Sequence, residues 1–264
     1  MSYLGIIRNV MKKALSDRQR NRIKERFFAD DNTAKYFCYD GAPIDRQELT
    51  EFEKIFWDHS GNFVNKWHHY LPIYDRHLQS FRGYPVKVLE IGVFGGGSLQ
   101  LWREFFGPDA TIFGVDINEK CRRFDGQGGY VRIGSQTDVE FLQSVVEEMG
   151  GVDIVIDDGS HVTEHMRTTF EALFPILPDG SVYIVEDVHA CYWLSYLGGY
   201  KSKRSFIEYA KNIIDDMHHW YHHKGQKVGA AKNKVSGIHF YDSMIVFEKK
   251  HIEPPKYSFV GREA

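Results

Sequence analysis

Cysteine is scarce in this chain, and long apolar runs are missing. Cys38, Cys121 and Cys191 lie far apart with no C-x-x-C pair. That excludes a disulfide framework and a thiolate zinc site, and it fits a reducing cytoplasm. The longest apolar runs, such as "DIVI" and "MIVF", fall far short of the roughly 20 residues that span a bilayer. Repeats and low-complexity tracts are also absent. A hydrophobic share of 42% over 264 residues suits one α/β domain with elaborations rather than a disordered chain.

Net charge is small, at −3, yet it hides an asymmetry. Residues 1–26 hold eight Lys or Arg against Asp17 and Glu25, so the remaining chain is acidic and an improbable partner for nucleic acid. Leu4, Ile7, Met11 and Leu15 recur at helical spacing within this basic segment. It is predicted as a basic amphipathic helix that packs on the domain or a sister subunit, with an anionic membrane face as the rival partner. "LGII" is too short for the apolar core of a secretory signal, and no small-residue cleavage site follows.

From Pro85 the pattern changes. "VKVLEIGV", "TIFGVDI", "YVRIG", "VDIVIDD" and "SVYIVEDV" are predicted as strands one to five. Between them "SLQLWREFF", "DVEFLQSVVEEMG" and "EHMRTTFEALFPIL" carry apolar residues three and four apart and are predicted as helices. This alternation predicts an α/β fold, a Rossmann-like, doubly wound and mostly parallel sheet. "GIHFYDSMIVFEKK" predicts an antiparallel C-terminal hairpin turning near Asp242 and Ser243, which brings the sheet to seven strands and is the mark of methyltransferase-type sheets. Thr137 with Glu140 predicts a capping box, "PDG" at 178–180 the turn into strand five, and "SFIEYAKNIIDDMHHWYHH" one long helix. The organisation expected is a basic extension over 1–35, a helical cap over 36–85, and a main domain over 86–264 with a lid around 192–232.

"LEIGVFGGGSLQLW", residues 89–102, sets a glycine-rich turn between a strand and a helix. Such a turn lets a ligand approach the backbone, and the helix N-terminus favours an anionic group. The dinucleotide fingerprint G-x-G-x-x-G fails because Val93 and Phe94 follow Gly92. S-adenosylmethionine suits the turn better, since it carries no pyrophosphate. Glu90 is placed to meet its ammonium, and Ser98 with backbone amides its carboxylate. Asp116, ending strand two, is placed for both ribose hydroxyls, and Ser135 and Gln136 for the adenine edge. Gln136 has a rival reading as a helix-entry residue.

"IVIDDGSHVTEH" ends strand four in Asp157 and Asp158, and strand five ends in Glu186 and Asp187. Carboxylates converging at one sheet edge repel unless a cation or protons neutralise them. Oxygen ligation points to magnesium, with manganese or calcium as alternatives. Side chains alternate along a strand, so one member of each pair faces elsewhere, and Asp157 is placed to face the cofactor. His161, at the sheet's mouth, is suited to take a proton from a substrate hydroxyl; the rival role is a helix-start residue bonding its own backbone. "HVTEH" also fits the inverted zinc-peptidase pattern, but His161 lies too near the strand end for an established helix. "MHHWYHH" pairs His218 with His222 and His219 with His223, a soft-metal pattern or a solvated lid helix. His189, Tyr192 and Trp193 stand where an acceptor would lie, and their aromatic faces suit a sugar ring or the packing of a lid.

These motifs together resemble the metal-dependent class I methyltransferases that act on sugar hydroxyls, the mycinamicin VI 2''-O-methyltransferase and rhamnosyl O-methyltransferase family. "NKWHHYLPIY", "VLEIGVFGGGSLQLWREFF", "GVDIN", "RIGSQTD", "DDGSH" and "VEDVH" carry the resemblance, over residues 60 to 200. It implies magnesium on Asp158, Glu186 and Asp187, His161 as general base, S-adenosylmethionine on the strand-one loop and Asp116, and a homo-oligomer. His69, within "NKWHHYLPIY", is a candidate substrate contact. The family commonly reads G-T-D-K-W where this chain has "GNFVNKW", so Asn65 replaces the acid and Val64 the threonine.

The expected activity is O-methylation of one hydroxyl of a vicinal diol on a sugar or glycoside. A catechol or another phenolic diol is the rival acceptor, although a lysine base is expected there and this site offers His161. A metal-dependent hydrolase and a non-catalytic nucleoside-binding scaffold are the alternatives from other classes.

Overall fold

The computed structural model describes residues 48–229 and 231–261, so the basic N-terminal segment and Cys38 lie outside the described residues. Residues from Leu49 onward form one compact unit, which therefore includes much of the segment expected as a separate cap. Among the described residues no helix is long and apolar enough to cross a membrane.

Five short apolar runs make the parallel part of the sheet: β1 (Lys87–Ile91), β2 (Thr111–Asp116), β3 (Tyr130–Ile133), β4 (Ile154–Asp157) and β5 (Val182–Val185). β6 (Val235–Tyr241) and β7 (Met244–Lys249) form the expected antiparallel hairpin, turning at Asp242 and Ser243. The seven strands run in the order β3-β2-β1-β4-β5-β7-β6, so β7 pairs with β5 and leaves β6 at the edge.

A parallel sheet must be covered on both faces, and its strands supply apolar residues to both. Val88, Ile112 and Ile154 face a core made with α1 (Glu51–Asp58), α2 (Leu71–Leu78) and α3 (Gly97–Phe106). Leu89, Phe113 and Val155 face the other core, under α4 (Val139–Met149), α5 (Thr163–Leu173) and α6 (Phe206–Met217). Phe52 of α1 lies between Tyr74 and Trp102, each ring centroid 4.9 Å away, which ties α1 and α2 to α3. Fully buried aromatic groups of this size contribute about 3–5 kcal/mol each against truncation to alanine.

Two local expectations are corrected. The side chain of Asp138, not Thr137, caps α4 by accepting from the Phe141 amide at 3.0 Å, because the Thr137 hydroxyl is shared with Ser135 at 2.8 Å. The long helix over 205–223 stops at Met217 and gives way to a 3-10 turn at His219–Tyr221. Histidine rings end it: His218 Nδ1 lies 2.8 Å from the Ile214 carbonyl oxygen and His219 Nδ1 2.9 Å from that of Asp216. Such contacts satisfy the orphan carbonyls of a last turn. His219 is buried rather than solvated, and the four histidines share no helix face.

The strand order reverses between β1 and β4, where a ligand crevice is expected at the carboxyl ends. Gly92 makes the close approach there: its φ is 99°, and a methyl group on it would overlap the Asp158 carbonyl. Gly92→Ala is expected to cost about 1–3 kcal/mol, a fall of several degrees in Tm by thermal unfolding. An unchanged Tm would contradict this packing.

Candidate active site at the carboxyl edge of the sheet

A cavity of about 520 Å³ opens at this crevice, lined among others by Gly92, Asp116, Ser135, Asp158, His161 and Asp187. Its size is that of a cofactor or drug-sized ligand. Phe94, His161 and Asp187, which all line it, have positive φ values of 47°, 55° and 53°. Backbone conformations that L-residues avoid cluster where geometry serves function.

Asp116 organises the cofactor side. Its Oδ2 accepts the amides of Val93 and Phe94 at 3.0 and 3.1 Å, and its Oδ1 that of Asn118 at 2.8 Å. A carboxylate offers about four acceptor positions, so capacity remains for hydroxyls in the cavity. Phe94 and Ile117 present exposed apolar side chains to the same space, as an adenine face requires. A nucleoside fits this donor and acceptor set.

Other expected cofactor contacts are placed differently. Glu90 is fully buried and absent from the cavity wall; Ser98 Oγ donates to it at 2.6 Å and Trp102 Nε1 at 3.0 Å. Burial pushes its carboxyl up to about 7, against the Lys66 charge and those two hydrogen bonds. Glu90 and Ser98 thus brace the glycine-rich loop from beneath. Asp157 faces the core under α4 and α5 rather than the cofactor; burial raises its carboxyl to about 7, and Gln136 Nε2 donates to it at 3.2 Å. Gln136 reaches the wall but is engaged, accepting from the Ser160 amide at 2.7 Å and donating to Thr169 at 3.1 Å. Ser135 is more exposed on the wall, its Oγ lying 2.8 Å from the Thr137 hydroxyl and accepting from the Thr137 amide at 3.2 Å.

The carboxylate cluster holds a residue that the sequence reading did not assign. Lys66 Nζ donates to Asp158 Oδ2 at 2.6 Å and to Glu186 Oε2 at 2.8 Å. Burial alone would lower this ammonium, but Asp158 and Glu186 outweigh it and raise it above its ordinary range. Both Glu186 oxygens are engaged, since the Tyr74 hydroxyl donates to Oε1 at 2.6 Å; burial pushes this carboxyl up, and Lys66 and Tyr74 oppose that.

The donor atoms gathered within 4.8 Å of one another are those of Asp158, His161 and Asp187. Glu186, expected as a third ligand, lies beside this set with its oxygens hydrogen-bonded to Lys66 and Tyr74. A hard divalent cation fits the two carboxylates of this set, and its remaining positions suit water or substrate oxygens, with the imidazole beside them. His161 Nε2 lies 3.6 Å from Asp187 Oδ2, and its buried Nδ1 has no hydrogen-bond partner. His161 precedes the cap of α5, and His165 Nδ1 lies 2.8 Å from Ser160 Oγ, so the two histidines do not make a zinc-peptidase helix.

Asp187 is fixed by Tyr70 and Trp67, which donate to Oδ1 at 2.8 and 3.1 Å. Lys66, Trp67, Tyr70 and Tyr74 escaped assignment, although aromatic residues with polar tips at spacings of three and four carried the signal. His69 and His189 are tied to the hairpin turn, His69 Nε2 lying 3.1 Å from the Asp242 carbonyl and His189 Nδ1 meeting Ser243 Oγ. Tyr192 is half exposed beyond β5, and none of these three lines the cavity. Asn65 does line it, while Val64 packs on the core.

A family model described as a methyltransferase domain matches residues 89–188. The chain is 38% identical over 203 residues to an 8-demethyl-8-(2-methoxy-alpha-L-rhamnosyl)-tetracenomycin-C 3'-O-methyltransferase of Streptomyces olivaceus, covering 72% of this chain and 52% of that one. Identity to the mycinamicin VI 2''-O-methyltransferase of Micromonospora griseorubida is 33% over 216 residues, 77% of this chain and 53% of that one. The solved MycE methyltransferase from the mycinamycin biosynthetic pathway, in complex with Mg, SAH and mycinamycin VI, aligns at a TM-score of 0.68 and 30% identity, covering 90% of this chain and 62% of that one. The chain spans about half the length of these curated relatives. It carries a methyltransferase domain and is similar, over most of its length, to about half the length of these sugar O-methyltransferases.

Proposed function

We propose that this chain transfers the methyl group of S-adenosylmethionine to one hydroxyl of a vicinal diol on a sugar or glycoside, with magnesium at the acceptor. The observation that carries this reading is the gathering of Asp158, His161 and Asp187 on the wall of the cavity that Asp116 and the glycine-rich loop close. Asp116, already oriented by loop amides, receives the ribose hydroxyls, and Ser135 serves the base edge. Asp158 and Asp187 hold the cation, with Glu186 in reserve behind Lys66. A divalent ion bound there lowers the pKa of a hydroxyl beside it.

His161 is placed to take the hydroxyl proton; with S-adenosylmethionine bound, the oxygen would form its bond to the methyl as the methyl–sulfur bond breaks and S-adenosylhomocysteine leaves. Positioning by the cavity contributes much of the rate, because both reactants arrive oriented. His69, His189 and Tyr192, outside the cavity wall, serve the sugar. The catechol reading wants a lysine base; Lys66 is in the site, but Asp158 and Glu186 keep it charged. Cys121 and Cys191, buried and free, suit a reducing cytoplasm, and a homo-oligomer is the expected assembly.

A screen with methyl-labelled cofactor tests this directly. Mono- and disaccharides, glycosylated natural products and catechols are offered with and without chelator. Label is expected in sugar hydroxyls only, with at least a tenfold loss of transfer on chelation. Chelator-insensitive transfer sinks the metal assignment, label only in catechols favours the rival acceptor, and loss of a group in place of methyl gain overturns the class.

A further inference from the structure

Less than one turn along α2 from Tyr74, a second set of metal-binding side chains comes together around His77, drawn from distant parts of the chain. We propose that His77, His239 and Glu248 form a site for a borderline divalent ion of the zinc type, which fastens the β6–β7 hairpin to α2. Their donor atoms lie within 4.8 Å of one another. Glu248 Oε1 is 3.0 Å from His239 Nε2 and 3.7 Å from His77 Nδ1. Ligands about 2.0–2.1 Å from a tetrahedral ion lie roughly 3.3–3.4 Å apart, so these separations bracket the required edge.

The donor chemistry selects the ion. Two imidazoles with one carboxylate suit zinc and its neighbours, whereas magnesium and calcium want oxygen alone. The Tyr241 hydroxyl lies 2.8 Å from His77 Nε2; a proton held between them on Nε2 leaves the Nδ1 lone pair turned to Glu248. Such an outer partner fixes the tautomer that a ligand needs.

Space and access are also provided. Gly237 sits at the irregularity in the β6–β7 ladder, where a methyl group would come within 2.8 Å of Glu248 Oε2 and 3.3 Å of His239 Nε2. The glycine leaves room around the ligands. His77 is buried while His239 and Glu248 remain about 40% exposed, which gives an ion a route in and leaves one position for water.

Calorimetric titration of the full chain, stripped of metal, with Zn²⁺ tests the site, and Co²⁺ serves as the spectroscopic probe. With excess Mg²⁺ present to hold the cavity cluster, one binding event with the visible bands of four-coordinate cobalt is expected. His239→Ala and Glu248→Gln, both at half-exposed positions, remove that event. Tyr241→Phe weakens it by about 10- to 100-fold. Asp158→Asn leaves it in place, which separates it from the cavity cluster. Zinc at a hundredfold excess over its Kd should raise Tm by about 5 °C in the parent chain and not in His239→Ala. Equal zinc binding by the parent, His239→Ala and Glu248→Gln, or no zinc event in the parent, overturns the site.

Discussion

His161→Asn is expected to lower the methyl-transfer rate constant by about 10²- to 10⁴-fold, the contribution of a positioned general base. Asparagine is the informative replacement because His161 has a φ of 55°, and among non-glycine residues asparagine tolerates the left-handed region well. Alanine would mix lost chemistry with backbone strain. The cofactor side, built on Asp116 and the loop amides, does not contact this ring, so affinity for S-adenosylhomocysteine should stay within about twofold, well under the tenfold that 1.4 kcal/mol represents. Single-turnover kinetics with the sugar acceptor separate the outcomes. A rate within threefold of the parent's would remove His161 from the proton transfer.

Lys66→Met should cause the largest loss of stability, about 3–5 kcal/mol, the cost of stranding buried charge when one partner is removed. Methionine keeps much of the stem volume, so packing against Tyr74, whose ring centroid lies 5.9 Å from the ammonium, changes little. What disappears is the positive charge between Asp158 and Glu186. At about 2–4 °C per kcal/mol for a unit of this size, Tm should fall by about 10 °C. The sign of the pH dependence follows. Burial already pushes the Glu186 carboxyl up, and without the ammonium it folds protonated, so a proton is taken up on folding. Stability of the variant is then retained at pH 5 and lost as pH rises through neutrality, because the unfolded carboxyl has released its proton. A Tm within 2 °C of the parent's at pH 8 would show that the ammonium contributes no net stability.

The sheet was legible because parallel strands buried on both faces leave short apolar runs, and the helices between them keep a helical apolar period. Carboxylates just past β4 and β5 were legible for a related reason: an acid that ends an apolar run marks the strand's carboxyl edge. The partners of those acids were not. Lys66, Trp67, Tyr70 and Tyr74 meet Asp158, Glu186 and Asp187 from 92 to 120 residues away, and no local pattern encodes that meeting. The hydrogen bonds of Glu186 to Lys66 and Tyr74 were hidden for the same reason. Asp157 was misplaced because alternation says that neighbours diverge, not which one turns to the core. Thr137 fitted a capping pattern that Asp138, one residue later, completes instead.

The hairpin turn imposes an order of assembly. The Tyr70 hydroxyl, 2.8 Å from Asp187 Oδ1, also lies 2.9 Å from the Ser243 carbonyl oxygen, and the Val188 amide donates to that carbonyl at 3.0 Å. Segments near residues 70, 187 and 243 therefore have to meet before the site is complete. On a ribosome the first two are made long before the third. The cofactor half, contained in β1 to β4, can close early on the emerging chain, while the acceptor half waits until synthesis is almost finished. Truncating the last two strands should accordingly leave a nascent chain with a half-built catalytic pocket, rather than a complete enzyme missing its margin.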